Sequence, residues 1–188
     1  LGIMSTMKNE TPDLTETELA SETVFKGRLM HVKCDRVRLP NGRESTREYI
    51  VHPGAVVVIP VFDNGDLLLE RQHRYPLHRD FIELPAGKID PGEDDLSCAK
   101  RELEEETGYT ASEWREVTTI YPCIGYSDER LAFYLARGLT EGKHGRDPRH
   151  GPPTPWGLRR RSEPCPPPIN RTNHRCRTGG VVVLGRLV

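Results

Sequence analysis

The sequence predicts an α/β fold with an antiparallel strand extension ahead of its core. Three observations carry this. Leu96, Ala99 and Leu103 recur at helical spacing between a Pro91-Gly92 break and Gly108. The run AVVVIPV over residues 55–61 is apolar throughout, the mark of a strand covered on both faces. Residues 23–53 alternate in character around Pro40-Asn41-Gly42, and Asn-Gly is a hairpin turn signal.

Taken in order, residues 1–20 are polar and are expected to form a leader or a short capping turn. Residues 23–53 read as an antiparallel meander. Asp63-Asn64-Gly65 then turns the apolar strand, and the run LLLERQ over 67–72 returns it. Arg71, His73 and Arg74 lie at that strand's end, where they either suit a phosphate or form a solvated basic edge. Beyond the helix, residues 114–119 and 130–136 read as two more strands, with 121–130 as the loop between them. His31, His52, His73 and His78 show no ligand spacing.

The helix takes Asp94 or Asp95 as its N-cap and Gly108 at its end. Glu102, Glu104, Glu105 and Glu106 crowd its last turns. At about 100° per residue, Glu102, Glu105 and Glu106 share a face beside the apolar stripe. Like charges three or four residues apart cost about 0.2–0.5 kcal/mol per pair. Carboxylates in a last turn also meet the negative end of the helix dipole. Lys100 and Arg101 can neutralise part of this charge. The remainder points either to a solvated acidic face or to a hard divalent cation, which prefers oxygen ligands.

A chain of 188 residues suffices for one domain with a sizeable core. Its net charge of −1 hides an asymmetry: residues 144–188 carry nine arginines, no lysine and two acidic residues. That stretch also holds half of the 16 prolines, and only residues 181–184 resemble a strand. The composition predicts disorder, or a segment read out of frame, since Arg, Pro, Gly and Cys without Lys is what a GC-rich gene encodes in a wrong frame. The expected divisions are therefore 1–20, 21–143 and 144–188. The basic tail has no interleaved aromatics beyond Trp156, so nucleic acid is not expected as a partner. Five cysteines, an odd number with no CxxC, argue against a disulfide framework or a zinc site and for a reducing cytoplasm. No apolar run is long enough for a membrane span, and no signal peptide is visible.

Written out, the helix and its approach read G-x5-E-x7-R-E-U-x-E-E-x-G-U, where U is apolar. Gly87, Glu93, Arg101, Glu102, Leu103, Glu105, Glu106, Gly108 and Tyr109 fill the fixed places. This resembles the Nudix box, the signature of hydrolases that cleave a nucleoside diphosphate linked to another group. Tyr109 stands where an aliphatic residue is usual. RQHRYP followed by FIELPAG resembles, within that superfamily, the bacterial ADP-ribose pyrophosphatases.

The resemblance implies a Nudix α/β/α sandwich with a mixed sheet. It implies magnesium, or manganese, held by Glu102, Glu105, Glu106 and the Ala86 carbonyl, with Arg101 beside them in the catalytic box. The implied reaction is hydrolysis of ADP-ribose to AMP and ribose 5-phosphate, the alternatives being another NDP-sugar or dinucleotide, or an ADP-ribose-binding module that does not hydrolyse. Arg74 is implied for a substrate phosphate or ribose, and Glu83 for ribose or a metal-linked water. Phe25 and Arg47 sit where the group contacts adenine, and Ser127 and Glu129 lie in a loop that approaches the diphosphate. A glutamate after the last core strand serves the resembling enzymes as base; Glu141 is the sole carboxylate there and lacks the expected acidic neighbours. The strands ahead of the core are implied to form a homodimer.

Overall fold

The computed structural model describes residues 12–142 and, as backbone, the strand 154–156. The chain divides into two units, Leu1–Leu158 and Arg159–Val188, and the described residues all belong to the first. The expectations for the tail, including the strand at 181–184, lie outside the described residues except at 154–156.

Three strands form the N-terminal sheet: β1 (Thr17–Lys26), β2 (His31–Arg38) and β3 (Glu44–Val51), all antiparallel. Leu39 to Arg43 closes the β2–β3 turn, with Gly42 at φ +83° as the Asn-Gly signal requires. β1 takes in Thr17–Ala20, which sequence assigned to the leader. Nearly all of β1 is exposed, so its polar composition suits a strand that buries no face.

The central sheet has the order β7-β4-β9-β8. Its members are β4 (Ala55–Pro60), β7 (Ala86–Lys88), β8 (Tyr109–Ile120) and β9 (Leu131–Glu141). β4 runs parallel to β9 and the other pairs are antiparallel, so the sheet is mixed. Every residue of β4 is buried, as its unbroken apolar run predicted.

A third sheet joins β5 (Leu67–Arg74), β6 (Arg79–Glu83) and β10 (Thr154–Trp156). β5 does not return along β4 as expected; a single bridge, Val61 to Leu67, links them. The Asn64-Gly65 turn, with Gly65 at φ +89°, sends β5 into a separate sheet.

The one α-helix among the described residues, α1 (Asp95–Thr107), lies on the central sheet. Cys98, Ala99 and Leu103 are fully closed off against Val56, Val58, Ala132 and Ala136. Burying a side chain such as Leu103 stabilises by about 1.5–3 kcal/mol. The aromatic at Tyr109 is explained by Phe62, whose ring it meets edge-on at 5.6 Å. No described helix is long and apolar enough to cross a membrane.

Candidate active site

Two caps fix α1 along its own axis. The Asp94 carboxylate accepts the Ser97 N–H at 3.0 Å, and Gly108 ends the helix at φ +77°. Asp95, the other candidate cap, instead accepts two hydrogen bonds from Arg130, at 2.5 and 2.9 Å. The three glutamates predicted to share a face separate at the edge of the core. Glu102 and Glu106 turn inward, 9% and 7% exposed, whereas Glu105 is an exposed residue.

Arg101 organises the box. Its guanidinium grips Glu93 through Nε at 2.9 Å and Nη2 at 2.8 Å. Nη1 donates to Glu102 at 2.7 Å and to Glu105 at 3.2 Å, and Nη2 reaches the Lys88 carbonyl. One fork therefore ties the approach loop to the helix. Arg101 holds the Glu93 carboxyl down at about 2, helped by the Asp90 N–H. Cys98 lies beneath, its thiol donating to the Lys88 carbonyl at 3.4 Å; burial pushes it up to about 12, so it is a packing residue rather than a nucleophile.

Glu106 and Glu102 are carboxyl groups in a poorly solvated place. Burial first, and then the neighbouring Glu70 charge, push the Glu106 carboxyl up to about 8; the Ala86 N–H, donated to Oε2 at 2.9 Å, opposes the rise. Burial also raises Glu102, against the pull of Arg101. Gly87 gives Glu102 its room: a Cβ there would stand 1.9 Å from the Glu102 carboxylate.

β5 and β6 supply the facing wall. Arg74 donates through Nε to both Glu83 oxygens, at 3.0 and 3.1 Å. Arg71 and His73 do not join it. Strand alternation puts both on the opposite face, where each binds Asp80, at 2.6 and 2.7 Å. The expected three-residue phosphate cluster is thus Arg74 alone. Glu70, which no motif marked, is buried on the Arg74 face.

The remaining candidates are spread out. Arg47 forms a two-point pair with Glu16, and Phe25 is 55% exposed. Phe25 shares a row with Val32 and Ile50, while Arg47 lies opposite Asp35, three residues further along β2; the two side chains therefore leave opposite faces of the sheet. The Ser127 hydroxyl donates to the Ile50 carbonyl at 3.1 Å and accepts the Glu129 N–H, so it builds the loop. Glu129 approaches His52 at 3.8 Å. Glu141 is exposed at the end of β9, opposite Tyr109.

The donor set fits a hard cation. It is made of carboxylate oxygens, two of them buried at the core edge, beside a backbone position that only glycine leaves open. Among the described residues no three acidic, His or Cys side chains form a ready cage. Glu102, Glu106 and Glu83 each hold an internal donor instead.

Comparison with known proteins agrees with this geometry. Residues 51–151 match the NUDIX domain family, and residues 16–50, essentially β1–β3, match the nucleoside diphosphate sugar hydrolase N-terminal domain. The chain is 43% identical to an ADP-ribose pyrophosphatase of Bacillus subtilis over 127 residues, 68% of this chain and 69% of that one. It is 40% identical to a methanol dehydrogenase activator of Bacillus methanolicus, over 67% of this chain and 68% of that one. A crystal structure of an ADP compounds hydrolase superposes with a TM-score of 0.68 at 28% identity, covering 78% of this chain and 80% of the other. The glutamates set on the core edge of α1, the Arg101 fork and the glycine beside Glu102 are therefore a Nudix box in its own fold, and the chain belongs to the Nudix hydrolase family.

Proposed function

We propose that this protein hydrolyses the diphosphate bond of ADP-ribose to AMP and ribose 5-phosphate, using magnesium or manganese. The observation that carries the reading is the buried pair Glu102 and Glu106, held beside Ala86–Gly87 and facing Arg74. A similar protein bears the name ADP-ribose pyrophosphatase, which supports the choice of substrate.

Glu102, Glu106, Glu105 and the Ala86 carbonyl would hold the cation, which would polarise the diphosphate and acidify a water. The residues of the chain itself do the rest. Arg101 locks Glu93 and Glu102 in place, so the carboxylates need little reorganisation. Arg74 is always charged, and it stabilises negative charge that grows on a phosphoryl oxygen. Glu83 aims that guanidinium.

The reading includes a homodimer through β1–β3. That sheet exposes Val24, Phe25, Leu29 and Met30, and β1 is an edge strand. Since Phe25 and Arg47 leave opposite faces, an adenine touched by both requires a second copy. Free thiols at Cys34, Cys98 and Cys123 support a reducing cytoplasm as the compartment.

A second reading, hydrolysis of another nucleoside diphosphate sugar, is favoured by the match of residues 16–50 to the N-terminal domain of such hydrolases. A product assay with magnesium across ADP-ribose, ADP-sugars, UDP-sugars and dinucleotides separates the two. ADP-ribose should be cleaved fastest, and EDTA should abolish turnover. Faster cleavage of a UDP-sugar would overturn the first reading.

A further inference from the structure

Arg79 opens β6 and stands directly opposite Arg74, the last residue of β5. The connection Tyr75–His78 is tight: the His78 N–H returns to the Tyr75 carbonyl at 3.0 Å, with His78 at φ +49°. Residues directly opposite in an antiparallel pair share a face, so both arginines project on the side of Glu83. Like charges so placed weaken a sheet. Nothing in the hairpin itself calls for the second cation.

The three arginines of this hairpin are engaged differently. Arg71 pairs with Asp80 on the other face, and Arg74 gives Nε and Nη2 to Glu83. The exposed Arg79 side chain makes no hydrogen bond or ion pair with any described residue. Its Cζ lies 4.5 Å from the centroid of the Phe81 ring. A contact over a ring uses the charge of a guanidinium and leaves its N–H donors uncommitted. Phe81 is two residues nearer Glu83 along β6. Arg79 therefore leans along the strand toward the Arg74–Glu83 pair, and from there the Glu106 charge is felt at Arg74.

We propose that Arg79 is a second anion-binding arginine of the substrate site, steadied on Phe81 so that its open donors take a phosphoryl group of the diphosphate beside Arg74. The inference rests on the hydrolase reading above and deepens it. Two guanidiniums on one face suit a ligand with two adjacent phosphoryl groups, and each offers a planar fork to phosphate oxygens. Arg74 is aimed by a carboxylate and Arg79 by a ring, so Arg79 keeps its whole charge for the ligand. The phosphate cluster that β5 leaves to Arg74 thus gains its second member from β6.

The test measures kcat and KM with magnesium on ADP-ribose, or on whichever nucleoside diphosphate compound of the panel is cleaved fastest. Arg79→Met keeps an unbranched stem over the ring and removes the charge. It should raise KM roughly 10- to 100-fold, the scale of a lost charge-assisted hydrogen bond, with kcat little changed and the melting temperature as in the wild type. Arg79→Lys should recover part of the loss, since it restores a point charge. Arg71→Gln, the same loss of charge on the opposite face, should keep the wild-type KM. A wild-type KM in Arg79→Met shows that Arg79 only covers Phe81, and an equal rise in Arg71→Gln shows a general field; either overturns the proposal. A clearly lower melting temperature in Arg79→Met marks a structural group and overturns it too. In these cases turnover by the wild type leaves the hydrolase reading standing. A wild type that cleaves nothing in the panel overturns that reading, and the proposal with it.

Discussion

The Ala86 backbone N–H donates to Glu106 Oε2 at 2.9 Å, and through that bond the last turn of α1 is fastened to the first residue of β7. A glutamine keeps this acceptor and cannot ionise in this buried place. Glu106→Gln should therefore fold with equal or greater stability, yet lose roughly 10²-fold or more in kcat, the usual scale for removing electrostatic stabilisation of a transition state. Calorimetry and steady-state kinetics on ADP-ribose check the two halves. A variant that hydrolyses like the wild type would exclude Glu106 from the chemistry.

The same carboxylate makes the metal-free protein pH-sensitive. Its folded value of about 8 lies above its ordinary 4.5, so its contribution to stability is complete below about 4.5 and lost as pH rises toward 8. Glu93 works in reverse, but only at acid pH, since its stabilisation is lost as pH falls from about 4.5 toward 2. In EDTA the melting temperature should fall between about pH 5 and pH 8, and Glu106→Gln should flatten that slope. A parallel slope in the variant would show that another group is responsible.

Gly87→Ala isolates the site from the fold. The added Cβ meets the far end of a flexible side chain, the Glu102 carboxylate, and not backbone. The carboxylate should swing away while the sheet stays intact. Circular dichroism should match the wild type, and Mn2+ affinity should drop roughly 10- to 100-fold. Wild-type affinity in this variant would mean that Glu102 tolerates displacement and is no ligand.

Arg101→Lys keeps the charge and loses the fork. A lysine cannot hold both oxygens of Glu93 while reaching Glu102. The approach loop should loosen, with a lower melting temperature and a roughly 10- to 100-fold loss in kcat/KM. Retention of both would show that point charge alone suffices at this position.

Sedimentation at micromolar concentration should find a dimer, and Val24→Asp on the exposed β1 strand should shift it to monomer. A monomeric wild type would remove the sheet's role as an interface.

Sequence was most informative where local rules suffice. An N-cap at one of Asp94 and Asp95, the Gly108 stop, the turn at Gly42 and the all-apolar β4 follow from short-range chemistry; the structure has each of them and selects Asp94. It was least informative where partners are distant. The split of Arg71 and His73 from Arg74 depends on β6 presenting Asp80 on one face and Glu83 on the other. Glu70 reads as the polar end of an apolar strand, and only the fold shows that it is buried. The inward turn of Glu102 and Glu106, with Glu105 outside, reflects where the central sheet meets the helix, which a helical wheel does not contain. β1 begins earlier than expected because an exposed strand shows no alternation of polarity to read.

The parallel pairing of β4 with β9 also governs when this molecule can assemble. Ala55 finds its partner at Leu131, and the helix bearing the box lies between them in the chain. On a ribosome, α1 leaves the tunnel before the strand that completes its floor has emerged. Closing so long a loop costs entropy before any contact rewards it. Until residues 131–136 arrive, the apolar stripe of α1 and one edge of β4 are uncovered, so the nascent chain passes through an interval in which chaperones and aggregation compete for it.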